Sequence, residues 1–182
     1  MAEGSQSSLN VFIATDAFEP PFGYAERVEI ISMPRKSERP TGTRFGSLVH
    51  IVLRDASLTA KKEDLLQLAK THARLLAATE EETVSAADAV FGALQHSVFA
   101  RVRQSSQIHR ELPVAIRTET GSLFEGVIDL AFLESNKWII ADFKTDLDKP
   151  DRQIKYRRQV GWYMRAMEQI TGVSAAGCIL HV

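Results

Sequence analysis

The 182-residue chain has a single cysteine, Cys178, and no apolar run approaching the ~18 residues that would cross a bilayer. One thiol can close no internal disulfide, and it excludes both multi-thiolate zinc sites and a cysteine-bound iron–sulfur cluster. It fits a reducing, cytoplasmic compartment. The chain also lacks a charge excess, since 22 Lys and Arg against 23 Asp and Glu leave a net charge of −1. Overall charge therefore makes no case for nucleic acid, and any basic surface must be local. Internal repeats and low-complexity tracts are missing too. Met1 to Ser8 carries no apolar core of the kind a signal peptide needs, and it reads as a disordered lead-in. With 45% hydrophobic and 25% charged residues, the remainder, residues 9–182, reads as one globular domain with a real core.

Up to about residue 45 the pattern is irregular, with one possible short strand at Arg27 to Ser32 between proline-rich stretches. From Phe45 it turns helical: Phe45, Leu48, Val49, Val52 and Leu53 share one apolar face. A second helix is predicted from about Lys61 to Ala77. A third is predicted from about Ser85 to Arg103, preceded by Glu80, Glu81 and Glu82 as a favourable negative start. The helical part thus covers about 44–103. An αβ core follows over about 108–182. Strands are expected at Ile108 to Thr118, Leu123 to Glu134 and Lys137 to Thr145, then a helix from Pro150 to Thr171 stopped by Gly172, then a strand at Ala175 to Val182. This order predicts an α/β domain around a mixed sheet.

The hairpin at Ser135-Asn136 carries the chemistry. Strict alternation puts Glu125, Val127, Asp129, Ala131 and Leu133 on one face, and Trp138, Ile140, Asp142 and Lys144 on the same side of the next strand. Counting inward from Glu134 opposite Lys137 sets Asp129 against Asp142, with Cβ atoms ~5 Å apart. Two like charges so close oppose folding unless a cation sits between them, and Mg²⁺ is commonly held by one or two carboxylates with water and phosphate. A lone strand Asp with a Lys two residues on is ordinarily a solvated pair. Here the neighbours Ile128, Leu130, Ile139, Ile140, Ala141 and Phe143 are apolar, so the charges stand in a core-like hairpin, where such groups tend to be functional.

Gly126-Val127-Ile128-Asp129 followed by Asp142-Phe143-Lys144-Thr145 resembles the G-x-I-D and D-x-K-T motifs of the PD-(D/E)XK nuclease superfamily, RecB-like branch. Gly46 to His50 resembles its G-x-x-x-H motif, Glu111-Leu112-Pro113 its E-x-P, and Tyr156 to Tyr163 its Y-x-x-Q-x-x-x-Y. In order and spacing these are most similar to the C-terminal nuclease domain of AddA-type helicase–nucleases. The resemblance implies a restriction-endonuclease-like fold and a Mg²⁺- or Mn²⁺-dependent deoxyribonuclease, acting as an exonuclease in recombination or repair. It also implies DNA as substrate and a helicase motor in the same polypeptide or complex, with no membrane association. His50, Asp129, Asp142 and the Phe143 carbonyl would hold the metal. Asp129, Asp142 and Lys144 would be catalytic, and Glu111 supporting. The four-cysteine iron–sulfur staple of some relatives is absent, and Arg54 stands where the family often has Glu.

Read without the family, His50 lies roughly 130° off the apolar stripe of its helix, so it suits a surface or a ligand role and not the core. His72, His96, His109 and His181 are expected to be structural. Along the Pro150 helix, Tyr156, Gln159 and Tyr163 share one side, and Arg152, Lys155, Arg157, Arg158 and Arg165 occupy the exposed side. Beside a nuclease site, Arg157 and Arg158 are expected to meet phosphates, with Tyr156, Gln159 and Tyr163 next to the strand. Trp162 is expected to pack. Two other readings stand beside cleavage: an inactive DNA-binding or scaffold domain of the same fold, and a metal-dependent phosphoesterase for small substrates.

Overall fold

The structure, a computed structural model, describes residues 10–16, 19–21, 23–33, 39–147 and 149–182, so the expected lead-in lies outside the described residues. Two short strands come first, β1 (Val11–Ile13) and β2 (Glu29–Ser32), the second where the sequence suggested one. Four helices follow: α1 (Thr43–Asp55), α2 (Lys62–Leu76), α3 (Glu80–Gln95) and α4 (Ser97–Gln104). The second half runs β3 (Ile108–Arg117), β4 (Leu123–Glu134), β5 (Lys137–Lys144), α5 (Pro150–Thr171) and β6 (Ala175–His181).

One expectation fails in detail. The single helix predicted from Ser85 to Arg103 is two helices, and the first begins earlier. Thr79 caps α3 by accepting the Glu82 N–H at 3.1 Å, while the Glu82 carboxylate accepts the Thr79 N–H at 2.8 Å. This capping box draws the three glutamates into the first turn. At His96 the backbone is extended, with ψ 151, and its Nδ1 accepts the Val98 N–H, so the same residue ends α3 and opens α4. The apolar period runs through the break, which is why the sequence hid it.

The strands form one mixed sheet in the order β1-β4-β5-β6-β2, with β3 on the other edge of β4. The neighbours β3, β4 and β5 are antiparallel, while β5, β6 and β2 run parallel. Helices α1 to α4 cover one face, burying Leu130, Phe132, Ile139, Ala141 and Phe143. Helix α5 covers the other, over Ile128, Ala131, Trp138 and Ile140. A mixed sheet flanked by helices is the arrangement that the sequence resemblance implies.

Two features of β4 place the site. The turn residues Ser135 and Asn136 have φ of 48 and 58, the left-handed pair of a type I′ hairpin. They fix the predicted register from Glu134↔Lys137 to Leu130↔Ala141, and Asp129 and Asp142 come next beyond it. The second feature overturns the expected strict alternation. Phe124 and Ile128 face α5, yet so do Ala131 and Leu133, so the strand changes faces near Asp129. Opposite it, Glu111 has φ 49, and the pair Glu111/Asp129 is missing from an otherwise unbroken β3–β4 register. Glu125 and Val127, expected on the face of Ala131 and Leu133, lie on the opposite face, where they are exposed.

Candidate active site

At the same level the far edge of β4 changes partner. It pairs with β5 over residues 130–134 and with β1 over 123–125, so the strands part between Gly126 and Asp129. Helix α5 fills that fork. A Cβ on Gly126 would lie 2.5 Å from Tyr163 Cε1, so only glycine admits the ring there. Gly46 of α1 is similarly tight, since its Cβ would meet Thr145 Oγ1 at 3.0 Å. The glycines of the two motifs therefore bring α1 and α5 against the end of the hairpin.

The structure gathers Asp129, Asp142, Lys144 and His50 at that end. Asp142 is 1% exposed. The Lys144 ammonium lies 2.5 Å from its Oδ2, a charge contact without hydrogen-bond alignment, and its Oδ1 has no hydrogen-bond partner among the described residues. Asp129 Oδ2 accepts the Phe143 N–H at 2.8 Å, in place of the strand partner the ladder would have supplied. His50 Nδ1 stands 3.6 Å from that same oxygen.

Electrostatics follow from burial. Desolvation, then the Asp142 charge, push the Asp129 carboxyl well above the ordinary carboxylate range, against the pull of Lys144 and the Phe143 N–H. Burial, then Lys144, lower the His50 imidazole, favouring the neutral form that can bind a metal. Desolvation would lower Lys144, but the charges of Asp142 and Asp129 outweigh it and raise its pKa, so it stays an ammonium.

The donor set fits a hard divalent cation. One buried carboxylate oxygen lacks a partner, a second carboxylate repels the first, and an imidazole and the Phe143 backbone adjoin them. Among the described residues no three His, Cys, Asp or Glu side chains gather tightly enough to hold a metal alone. Mg²⁺ does not need that, because it keeps waters and takes phosphate oxygens.

His50, Asp129 and Lys144 line a cleft of about 1020 Å³ between α1 and the start of α5, while the buried Asp142 does not line it. Glu111 and Arg54 line one wall and Lys149, Arg152, Lys155 and Tyr156 the other. The expected phosphate contacts are differently placed. Arg157 donates to the Val28 carbonyl, and Arg158 pairs with Glu19 at 2.5 Å, neither lining the cleft. Gln159 lines it but is 7% exposed and donates to Tyr163 Oη at 3.0 Å. Tyr163 is 2% exposed, its phenol pushed up to about 12 by burial, so it packs under the site where a stacking surface was expected. Trp162 packs as predicted, against Phe124. Lys149 and the α1 start at Thr41–Thr43 also line the cleft, and sequence reasoning missed them. Their only signal is position, each opening a helix whose N-terminus favours anions.

Residues 19–180 match the family model of the PD-(D/E)XK nuclease superfamily. An ATP-dependent helicase/nuclease subunit from Syntrophomonas wolfei subsp. wolfei is 29% identical over 154 residues, covering 75% of this chain and 12% of that protein. The protein of the same name from Geobacillus thermodenitrificans is 26% identical over 184 residues, covering 84% of this chain and 15% of its own length. The Clostridium kluyveri protein of that name is 37% identical over a shorter stretch of 71 residues, 38% of this chain and 6% of its own. The chain thus spans a small part of the length of these curated relatives.

Proposed function

This chain belongs to the PD-(D/E)XK nuclease superfamily, and from that premise we propose that it hydrolyses DNA phosphodiester bonds with Mg²⁺ or Mn²⁺. We further propose that it is the exonuclease part of a longer helicase–nuclease of recombination or repair, because the relatives it matches are helicase/nuclease subunits. One observation carries the reading: a buried carboxylate with an unpartnered oxygen, a second carboxylate beside it and a buried lysine lie together next to a cleft with one basic wall.

Asp129, Asp142, the Phe143 carbonyl and His50 would hold the metal. When bound, it would polarise the scissile phosphate and make a water more acidic. The chain's own groups do the rest. Lys144, kept charged by the two aspartates, donates hydrogen bonds toward the phosphate and meets the charge that builds as water attacks phosphorus and the ester oxygen leaves. Phe143 N–H fixes Asp129 Oδ2, so that carboxylate is oriented before any ligand arrives. Lys149, Arg152 and Lys155 draw the backbone into the cleft.

The test is direct. Purified protein should degrade linear DNA with Mg²⁺ or Mn²⁺ and not with EDTA, and Lys144→Ala should lose about two orders of magnitude or more in rate. Well-folded wild type that binds DNA yet cuts neither single nor double strands at any metal concentration would instead establish the inactive, DNA-binding reading.

A further inference from the structure

Lys144 has a second set of neighbours besides the aspartates. Its Nζ lies 4.7 Å from the centre of the Tyr156 ring, on the first turns of α5. The Tyr156 hydroxyl donates to Asp146 Oδ1 at 3.0 Å, and the other oxygen of Asp146 accepts from Arg152 Nη1. Asp146 follows β5 by two residues, so strand, ring and helix close a loop around the lysine. Asp142 by itself fixes only one direction of a long, four-torsion side chain. A ring face on a second side restricts where the ammonium can swing, and an ammonium over an aromatic face is held more strongly where water is scarce. The Lys144 side chain is 14% exposed, which meets that condition.

We propose that Tyr156 and Asp146 are positioning residues for Lys144: the ring cradles the ammonium and the carboxylate holds the ring. This inference rests on the cleavage reading of the site, and it differs from a DNA contact in what each variant should do. Tyr156 acts through the lysine. Its loss therefore lowers the chemical step and leaves the affinity for DNA nearly unchanged.

The experiment compares Tyr156→Leu, Tyr156→Phe and Asp146→Asn with wild type, each checked for an unchanged melting temperature. Tyr156→Leu should lower kcat about ten- to hundredfold, the scale of a misplaced catalytic group, with KM for a DNA substrate within about twofold. Tyr156→Phe keeps the ring but loses the hydroxyl that Asp146 holds, so it should recover only part of that loss, while Asp146→Asn, whose amide oxygen can still accept from that hydroxyl, should lie closer to wild type. An unchanged kcat with a raised KM in Tyr156→Leu would overturn the proposal, because the ring would then be a DNA contact. A second readout needs no activity. In wild type the ring should shift the Lys144 ε-methylene resonances upfield, and Tyr156→Phe should keep part of the shift while Tyr156→Leu abolishes it. Absence of that shift in wild type also overturns the proposal. Its presence in a protein that cuts no DNA would uphold the cradle and sink only the cleavage reading.

Discussion

The two aspartates are not equivalent, and the difference is electrostatic. Asp142 pairs with Lys144, so removing its charge would strand a buried ammonium. Asp129 leans on an N–H and carries the strain of burial and of its neighbour's charge. Its folded pKa lies above its unfolded one, which is ~3.9 for an ordinary Asp. The stability tied to this group is therefore fully present below that value and is lost as pH rises through the folded pKa. At neutral pH the metal-free protein should be the worse for it. Asparagine keeps the shape and an oxygen to accept the Phe143 N–H, but takes no charge. In EDTA at pH 7, Asp129→Asn should melt above wild type, by roughly 2–4 °C for each kcal/mol relieved. Thermal melts should show the gap narrowing as pH falls toward ~4 and closing below it, where Asp129 is protonated in both the folded and the unfolded state. Equal melting at pH 7 would mean that neither burial nor the Asp142 charge penalises the Asp129 carboxylate. Chemistry of this kind was legible in the sequence, because charged residues in an apolar hairpin announce themselves. That Asp142 spends its charge on Lys144 was not, since side-chain contacts do not follow from spacing.

At the level of elements, what could be read depended on how much of the pattern each one repeats. The hairpin register was legible because a two-residue turn allows one count, and the bounds of β4 and α5 follow from turn and cap residues. β1 was not, since three residues are too few to show alternation. Nor was the change of face at Asp129, which depends on the left-handed backbone of Glu111, a conformation that favours no glutamate. The basic face of α5 shows the same limit. Period alone sets Arg157 and Arg158 on the outside, whereas the fold ties both to the N-terminal segment and leaves Lys149, Arg152 and Lys155 along the cleft. Each phosphate neutralised contributes about −0.7 to −0.9 to the slope of log affinity against log salt. Lys155→Ala should therefore flatten that slope by nearly one contact, and Arg158→Ala should leave it close to wild type. The reverse order, measured by DNA titration over a salt series, would return the phosphate track to the outer face.

For the whole molecule, the site joins elements that are far apart in the chain: α1 brings His50, β4 and β5 bring the aspartates and lysine, and α5 closes the fork. A cation bound there bridges α1 to the sheet, and it can do so only in the folded protein. A ligand of the native state stabilises it by RT ln(1 + [L]/Kd), about 2.7 kcal/mol at a hundredfold excess over Kd. Wild type should therefore gain melting temperature on adding Mn²⁺. Asp142→Asn removes a proposed ligand, and it should begin lower for the stranded lysine and gain far less. Lys144→Ala separates the two roles. It leaves the buried Asp142 carboxylate without its counter-ion, so the metal-free variant should melt below wild type. Mn²⁺ then supplies the missing positive charge, and its gain should equal or exceed that of wild type, although cleavage is lost. Melts of the three proteins with and without Mn²⁺ give the ranking. A metal response in Asp142→Asn equal to that of wild type would remove Asp142 from the site, and a response lost in Lys144→Ala would mean that the lysine builds the site and is not simply its electrophilic partner.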